Sequence, residues 1–356
     1  MGIESQFYKE KQLNRKKKLR ELEKELPPYV IPYLDDKELT SQINTVIAYT
    51  YDLLTFFRFL KEKNPLLKNT AVKDIPIEIL EQLNFSDIND YQKFLSLNDE
   101  GEYHNNEERA IARRMAPLRG FFAHGCLNHY LSNDPTLGAA KRKKMPKKDI
   151  IRLDRDEVHE IINVVSKTNL TTSEHQRKSC ERTQLRDTAI ITLLLNTGIR
   201  VSECAGLDLD DMNYHDNSIR IVRKGGSEAH LYFNDDVLMA ISNYVENERP
   251  LLLGPDSDEK ALFISQKKNR LSVRAIEAMV KKFAIQAAPG KKISPHKMRS
   301  TYGTELYRDT GDIRLVSDVL GHKDINTTAK HYAAMEEDHR RMAARVELYK
   351  KDHNDL

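Results

Sequence analysis

Apolar side chains recur at helical spacing through the first 140 residues of the chain. In residues 41–63 they fall every three or four positions, as at Val46, Leu53 and Leu60, until the pattern ends at Asn64-Pro65. The first 26 residues predict a further, highly charged helix with Leu19, Leu22 and Leu26 on one side. Three more helices are predicted at 76–83, at 86–97 with Ser86 as the N-cap, and at 106–130 with a bend near Pro117.

The periodicity stops in the segment 141–152 and changes character beyond it. A helix is predicted from 153, where Asp154 is the expected N-cap and Glu157 completes a capping box. An apolar helix over 182–198 should end at Gly198. In SIRIVRKGGSEAHLYF (218–233) the period becomes two on both sides of a Gly-Gly pair, which predicts a β-hairpin. Helices resume at about 235–248, 272–287, 295–309, 313–320 and 324–347. We expect Ser294 to cap the helix at 295–309, with Pro295 at its first position.

This pattern predicts a mainly α fold with two domains. The first is a helical domain over residues 1–140, and a basic linker over 141–152 follows it. The second, over 153–356, is a mainly helical domain with a small antiparallel β-sheet. A chain of 356 residues is also long for a single compact core, which favours the same division.

Composition narrows the cellular context. The longest apolar run, AIITLLL, is far shorter than the roughly 18–20 residues of a membrane-spanning helix. The first residues lack the apolar core of a signal peptide. The three cysteines, Cys126, Cys180 and Cys204, are odd in number and widely spaced, as expected in a reducing compartment. We therefore expect a cytoplasmic protein with no membrane partner.

Positive charge is concentrated although the net charge is only +3. The linker carries six cations in KRKKMPKK (141–148), and three arginines lie mostly on one face of the helix predicted at 106–130. Such a run fits either a solvated linker or contact with a phosphate backbone. The candidate DNA-binding residues are Arg109, Arg113, Arg114, Lys141, Arg142, Lys143, Lys144, Lys147 and Lys148.

Common metal and cofactor motifs are incomplete in this sequence. HEIIN (159–163) has Asn163 where a zinc-protease helix has its second histidine, and GPDSDEK (254–260) lacks residues of a phosphate-binding loop. No GxGxxG occurs. The sequence therefore predicts no metal and no cofactor, and any phosphate chemistry falls to side chains alone.

Four segments carry candidate chemistry: NTGIRVSE (196–203), IVRKGGSEAH (221–230), SPHKMRSTYGTEL (294–306) and VLGHKDINTTAKHY (319–332). Each has an ordinary structural interpretation on its own: an ion pair, a turn lysine, a helix cap or a core aromatic. Together they supply the groups for attack on a phosphodiester without a metal, because guanidinium groups match phosphate oxygens and a nearby positive charge helps a phenol to react. The candidate residues are Arg200, Glu203, Lys224, His296, Arg299, His322 and Tyr332.

These motifs resemble those of the tyrosine site-specific recombinases of the phage-integrase family, most closely the Xer type. The catalytic motifs span residues 153 to about 335, and the preceding helices are similar to the family's core-binding domain. One departure is that HKMRS (296–300) lacks the second histidine that the family often has. Tyr302 and Tyr307 do not match the position of the nucleophile and are predicted to be structural.

The resemblance implies a mechanism and a partner. Tyr332 would attack the scissile phosphate, Arg200, Arg299 and His322 would stabilise it, Lys224 would be the general acid and His296 the general base. Glu203 would support Arg200. The implied partner is double-stranded DNA at a specific palindromic site, bound by a homo-tetramer on two sites, with a monomer or weak dimer when free.

Alternatives remain open from sequence alone. Within the family, resolution of chromosome dimers and integration or excision of a mobile element use the same residues. A non-cleaving DNA-binding protein could keep the fold, and a phosphatase or nuclease would hydrolyse the ester instead of rejoining it.

Overall fold

The computed structural model describes residues 6–96, 108–140, 151–167, 174–223, 226–254, 257–322 and residue 325. The chain divides into two compact units, Ile3–Lys148 and Asp149–Leu356. Each unit has its own hydrophobic core. The prediction of a mainly helical fold with a small antiparallel sheet is confirmed. The predicted domain limits at 140 and 153 stay a prediction, because residues 141–150 lie outside the described ranges.

The N-terminal unit is built around its third helix. This helix, residues 43–63, buries Leu53, Phe56 and Phe57 almost completely, and four other helices of the unit pack around it. Leu19, Leu22 and Leu26 are buried, which agrees with the amphipathic pattern of the first residues. The helices of this unit are α1 (Gln6–Glu23), α2 (Ile31–Thr40), α3 (Ile43–Lys63), α4 (Glu78–Glu81), α5 (Phe85–Phe94) and α6 (Glu108–Leu127).

The predicted N-cap at Ser86 is wrong. Helix α5 begins one residue earlier, at Phe85, and its N-cap is Asn84. The Asn84 side-chain oxygen accepts a hydrogen bond from the Ser86 N–H at 2.7 Å, and the Asp87 carboxylate accepts one from the Asn84 N–H at 2.9 Å. Asparagine caps as well as serine, and the carboxylate two residues beyond the helix start completes a reciprocal pair.

The C-terminal unit is built around an apolar helix over residues 184–197. Its side chains from Ala189 to Leu195 are buried on all sides, and three other helices of the unit pack against it. The helices of this unit are α7 (Arg155–Ser166), α8 (Glu174–Glu181), α9 (Gln184–Thr197), α10 (Val201–Cys204), α11 (Asp235–Asn243), α12 (Arg249–Leu253), α13 (Val273–Ala287), α14 (Pro295–Thr310) and α15 (Ile313–Leu320).

Several local predictions in this unit are confirmed. Asp154 and Glu157 form the capping box of α7, with hydrogen bonds of 2.9 and 2.8 Å. Helix α9 ends at Gly198, whose φ of +60° is a conformation that glycine adopts without a steric penalty. The helix predicted at 235–248 is interrupted, because a π-helical turn (Tyr244–Glu248) joins α11 to α12.

The small sheet has three antiparallel strands in the order β1 (Met212–Asn213), β2 (Ser218–Val222) and β3 (Glu228–Tyr232). The predicted hairpin is confirmed, with Ser218 opposite Tyr232 and Val222 opposite Glu228. Strand β1 was not predicted, because two residues are too short to show an alternation. None of the helices in the described ranges is long and apolar enough to cross a membrane. The helix predicted at 324–347 lies outside the described residues, except for Ile325.

Candidate active site

Arg200 is held at the start of α10 by its own neighbour in sequence. Gly198 turns the chain after α9, and Arg200 is the N-cap residue of the next helix. Glu203 accepts the Arg200 backbone N–H at 2.9 Å and its Nη1 at 2.8 Å. The carboxylate is buried, with 4% exposed, whereas 30% of the arginine side chain is exposed. Glu203 therefore orients a guanidinium that still faces solvent, as the spacing of three residues predicts.

Arg299 joins the end of α9 to the end of α15. It lies in α14 with 5% of its surface exposed, and its guanidinium donates hydrogen bonds to the carbonyl oxygens of Gly198 and Leu320. Gly198 also lets Tyr302 and Leu320 approach the turn closely, because it has no side chain of its own. A Cβ at that position would lie 2.6 Å from Cδ1 of Tyr302 and 2.9 Å from Cδ2 of Leu320. These contacts bring the turn that carries Arg200 against α14 and α15.

His322 follows the glycine that ends α15. Gly321 has a φ of +58°, and the N–H groups of Gly321 and His322 donate to the carbonyls of Asp318 and Ser317 at 2.8 and 2.9 Å. This is the usual pair of bonds that ends a helix on a left-handed glycine. The Gly321 carbonyl also accepts Nη2 of Arg200 at 2.8 Å. The histidine is thus next in sequence to a residue that contacts a site arginine.

His296 and Arg299 lie in the same helix but in different surroundings. Pro295 is the first residue of α14, as predicted, and Ser294 is at the N-cap position. The Ser294 hydroxyl makes no capping hydrogen bond, which corrects the expectation that it caps the helix. His296 is exposed at the start of the helix, whereas Arg299 is buried one turn later.

Two of the predicted site residues, Lys224 and Tyr332, lie outside the described part of the chain. The same holds for the six predicted cations between 141 and 148. The other two tyrosines near the site fit the structural role predicted for them. Tyr307 is buried, and burial raises the pKa of the Tyr302 phenol.

The three predicted DNA-binding arginines of the N-terminal unit lie on α6. Arg109 and Arg113 are exposed and Arg114 is half-buried. Arg113 also forms an ion pair of 3.5 Å with Asp52 of α3. These arginines belong to a different unit from Arg200 and Arg299.

One arginine at the site, Arg223, was not among the predicted residues. Arg223 follows strand β2, and its Nη2 donates to the carbonyls of Val319 and Asp318 at 3.1 and 3.4 Å. Burial lowers the pKa of Arg223 and the nearby positive charge of Arg200 lowers it further, while Glu203 opposes both effects. The only sequence signal was its position beside Lys224 in RKGG, because its partners are almost a hundred residues away.

The chemistry of this group is that of an anion site. Three guanidinium groups meet at the end of α15, and the described contacts of Arg200 include one buried carboxylate, Glu203. Guanidinium groups bind phosphate oxygens with two parallel hydrogen bonds and stay charged at any cellular pH. The arrangement can therefore neutralise charge that develops on a phosphoryl group.

The described residues contain one group of acids that could bind a metal ion, and it lies in the N-terminal unit. Glu23, Asp35 and Glu38 offer carboxylate oxygens within 4.8 Å of one another. Arg20 already pairs with all three, at 2.7, 3.7 and 3.1 Å. The group is therefore an ion-pair network, and it gives no reason to add a metal to the anion site.

The sequence matches several known proteins over most of its length. It is 32% identical to the tyrosine recombinase XerC of Caldanaerobacter subterraneus over 80% of this chain and 76% of that protein. It is 28% identical to the tyrosine recombinase XerD of Staphylococcus epidermidis over 80% of this chain and 86% of that protein.

Solved structures show the same fold at lower sequence identity. A XerH site-specific recombinase bound to palindromic difH DNA in a post-cleavage complex has a TM-score of 0.62 and 18% identity, covering 87% of this chain and 82% of that chain. The Tn1549 transposon integrase in complex with circular intermediate DNA has a TM-score of 0.61 and 16% identity, covering 90% of this chain and all of that chain.

A family model also covers the site itself. The model of the phage integrase family matches residues 151–339, which is more than half of the chain and includes every candidate catalytic position. Together with the similarity to XerC, this match shows that the chain belongs to the phage integrase family and is a tyrosine recombinase.

Proposed function

We propose that this protein is a site-specific DNA recombinase that cuts and rejoins DNA through a 3′-phosphotyrosyl intermediate. The observation that carries the proposal is the convergence of Arg200, Arg299 and the Gly321–His322 turn at the end of α15. Three separate segments of the sequence supply these groups, and they meet where one phosphate could contact them all. A structural role alone would not require two arginines at one helix end.

In the proposed reaction the Tyr332 oxygen attacks the scissile phosphorus. A phosphotyrosyl bond forms to the 3′ side and the bond to the 5′ oxygen breaks, so the energy of the ester is conserved and no ATP is needed. Arg200 and Arg299 would neutralise the charge on the non-bridging oxygens, and His322 would donate a hydrogen bond to the same group. Removing one such donor typically slows an enzyme by about 10²–10³-fold.

Two proton transfers complete the proposal. Lys224 would protonate the leaving 5′ oxygen as general acid. His296, exposed at the start of α14, would accept the proton of Tyr332 as general base. Glu203 would keep the Arg200 guanidinium oriented through the bonds described above. These roles follow the family motif residue by residue.

The proposed partner is double-stranded DNA at a specific palindromic site. The XerH relative was crystallised on such a site, its palindromic difH substrate. We propose that a homo-tetramer joins two sites and that the free protein is a monomer or weak dimer. Arg109, Arg113 and Arg114 on α6, together with the 141–148 cations, would contact phosphates, which predicts binding that weakens steeply with salt.

We favour resolution of chromosome dimers as the biological role, in the cytoplasm. The relatives described above carry Xer names, and the segments PPYVIPY, DIPIEIL and VRKGG resemble the single-protein Xer type called XerS. Integration or excision of a mobile element is the second candidate, because the Tn1549 integrase matches the fold equally well. A palindromic site beside the gene would favour the first role, and neighbouring excision genes would favour the second.

The test is covalent capture on nicked DNA in EDTA. The protein is incubated with a library of nicked duplexes that have randomised arms, and the adducts that survive detergent are isolated and sequenced. We expect adducts on one palindromic sequence with the wild-type chain and none with Tyr332→Phe. The variant removes one oxygen, so its DNA binding should be unchanged and serves as the matched control.

The same experiment, together with assays on generic DNA and on supercoiled plasmid, separates the rival functions. Binding without any adduct would indicate a non-cleaving DNA-binding protein. Turnover on generic DNA that leaves hydrolysed ends would indicate a nuclease or phosphatase. Relaxation of arbitrary supercoiled plasmid would indicate an activity like that of a topoisomerase.

A further inference from the structure

Helix α15 ends in a cluster of three arginines from three different elements. The last carbonyls of a helix have no partner within the helix and must find one elsewhere. Here Arg223 donates to Asp318 and Val319, Arg299 to Leu320 and Arg200 to Gly321, so that four consecutive carbonyls each accept a guanidinium N–H. Arg200 and Arg299 belong to the proposed catalytic set, whereas no role has been assigned to Arg223.

Arg223 connects this helix end to the β-hairpin. Its side chain lies on the carbonyls of α15, and its main chain closes the turn after β2. The Arg223 N–H donates to Ser227 at 2.8 Å, and its carbonyl accepts the N–H of Gly226 at 3.0 Å. Because the Arg223 main chain is held in the turn, a displacement of the end of α15 relative to the hairpin would break the hydrogen bonds of the Arg223 side chain.

Gly321 is the point where Arg223 and Arg200 meet. A Cβ on Gly321 would lie 1.3 Å from Nη1 and 2.3 Å from Cζ of Arg223, so the guanidinium rests directly against the glycine. The carbonyl of the same glycine accepts Arg200 at 2.8 Å. The residue that follows is His322. One glycine therefore links the position of Arg223 to two groups proposed to bind the phosphate.

Fold stability alone gives a weak reason for this arrangement. Nη1 of Arg223 is buried and makes no hydrogen bond to any of the described residues. A buried donor without an acceptor costs free energy, and so does a positive charge beside another arginine. An apolar side chain would fill the same space without either cost. The charge and the fork-shaped geometry of the Arg223 guanidinium therefore indicate a functional role at the site.

We propose that Arg223 is a positioning residue for DNA cleavage: it holds the Gly321–His322 turn against the end of β2 so that His322 and Arg200 face one phosphate. This inference rests on the proposed recombinase function. Arg223 would act through Gly321 and His322, not by contact with the reacting atoms.

The first test compares Arg223→Met with Arg220→Met in the full chain. Methionine keeps an unbranched apolar stem and removes the donors and the charge. On the captured nicked site at saturating protein, we expect Arg223→Met to form the adduct about 10–100-fold more slowly, by analogy with the loss seen when residues that orient metal ligands are removed. DNA affinity, measured by mobility shift, should change by less than about threefold, because the role is in the reaction step.

Arg220 provides the matched control. It lies on the same strand, and its guanidinium pairs with Asp211 at 2.6 Å and Glu228 at 3.6 Å. Arg220→Met should keep the wild-type cleavage rate within about twofold. Should Arg223→Met fail to fold, Arg223→Lys keeps the charge but has one ammonium in place of the fork, and a clear loss of rate is still expected.

A double-mutant cycle with His322→Ala identifies the route of action. If Arg223 acts through the His322 turn, then Arg223→Met should slow the His322→Ala protein by much less than it slows the wild type. Equal slowing in both backgrounds would overturn the inference. So would a wild-type rate in the Arg223 variants, or a defect found only in DNA affinity.

The outcome can be separated from the fate of the proposed function. If the wild-type chain forms no tyrosine-linked adduct, the recombinase proposal itself fails. If the wild type forms adducts that Tyr332→Phe lacks, while the Arg223 variants react at the wild-type rate, then only the positioning role of Arg223 is wrong.

Discussion

Arg186 at the start of α9 and Arg299 in α14 are both almost fully buried, with 7% and 5% of their surfaces exposed. Arg186 pairs with the buried carboxylate of Asp187 at 2.6 Å, and the carboxylate of Glu248 accepts its backbone N–H at 3.0 Å. The described hydrogen bonds of Arg299 go instead to the backbone carbonyls of Gly198 and Leu320. The charge of Arg186 is matched by acids, whereas the described partners of Arg299 are peptide carbonyls.

The partners of a buried arginine distinguish a structural role from a proposed functional role within the same unit. A buried carboxylate offsets the charge of Arg186 where it stands, which is what the folded state alone requires. Near Arg299, three guanidiniums and His322 gather around the end of α15, and Glu203 is the buried acid that pairs with Arg200. The described guanidiniums outnumber that buried acid, which is consistent with the phosphate that we propose binds here.

The largest effect on stability is expected for the buried pair of Arg186 and Asp187. Arg186→Leu would leave the Asp187 carboxylate buried without its cation, and removing one member of a buried pair typically lowers the free energy of unfolding by about 3–5 kcal/mol. Urea denaturation of the full chain measures the loss. The double variant Arg186→Leu/Asp187→Leu is the control and should recover much of it. If the single variant unfolds like the wild type, the pair is not the structural element assumed here.

Substitution of Arg299 should lower the rate of cleavage strongly and the free energy of unfolding only slightly. Arg299→Lys keeps the charge but loses the fork, so we expect strand cleavage to slow by about 10²–10³-fold. The shift in unfolding free energy should be smaller than for Arg186→Leu, because lysine keeps the positive charge and the described hydrogen bonds of Arg299 go to backbone carbonyls. Single-turnover adduct formation and urea denaturation measure the two quantities on the same sample. A large loss of stability with proportionate loss of activity would remove the contrast between the two arginines.

Asp52 in the N-terminal unit provides a third case, in which the acid is buried and the arginine is exposed. Burial raises the pKa of Asp52 to about 6, although Arg113 at 3.5 Å partly opposes the shift. A carboxyl whose pKa is raised on folding stabilises the protein below its unfolded pKa, and this contribution is lost as the pH rises through about 6.

Asp52→Asn should therefore stabilise α3 at neutral pH. We expect a gain of about 1–3 kcal/mol above pH 6.5, and little difference from the wild type near pH 4. Hydrogen exchange of α3 in the full chain, followed by mass spectrometry at both pH values, measures it. Asp90→Asn is a control, because Asp90 lies on α5 with its carboxylate exposed. An equal gain at both pH values would show that the burial of charge is not the cause.

Local sequence signals predicted much of the fold. The capping box of Asp154 and Glu157, the end of α9 at Gly198 and the hairpin of β2 and β3 all depend on residues close together in the chain. The errors were also local. The N-cap of α5 is two residues earlier than predicted because Asn84 and Ser86 are both good caps, and β1 was too short to leave a pattern.

The candidate residues for the chemistry could be identified from the sequence. The contact of Arg200 with Glu203 could also be predicted, because a spacing of three residues fixes that geometry. That Arg299, Arg200 and Arg223 share the end of α15 is visible only in the folded structure. Their partners are 21, 121 and 96 residues away in the chain. Contacts over such separations depend on how α9, α14, α15 and the hairpin pack together, and no local pattern records that packing.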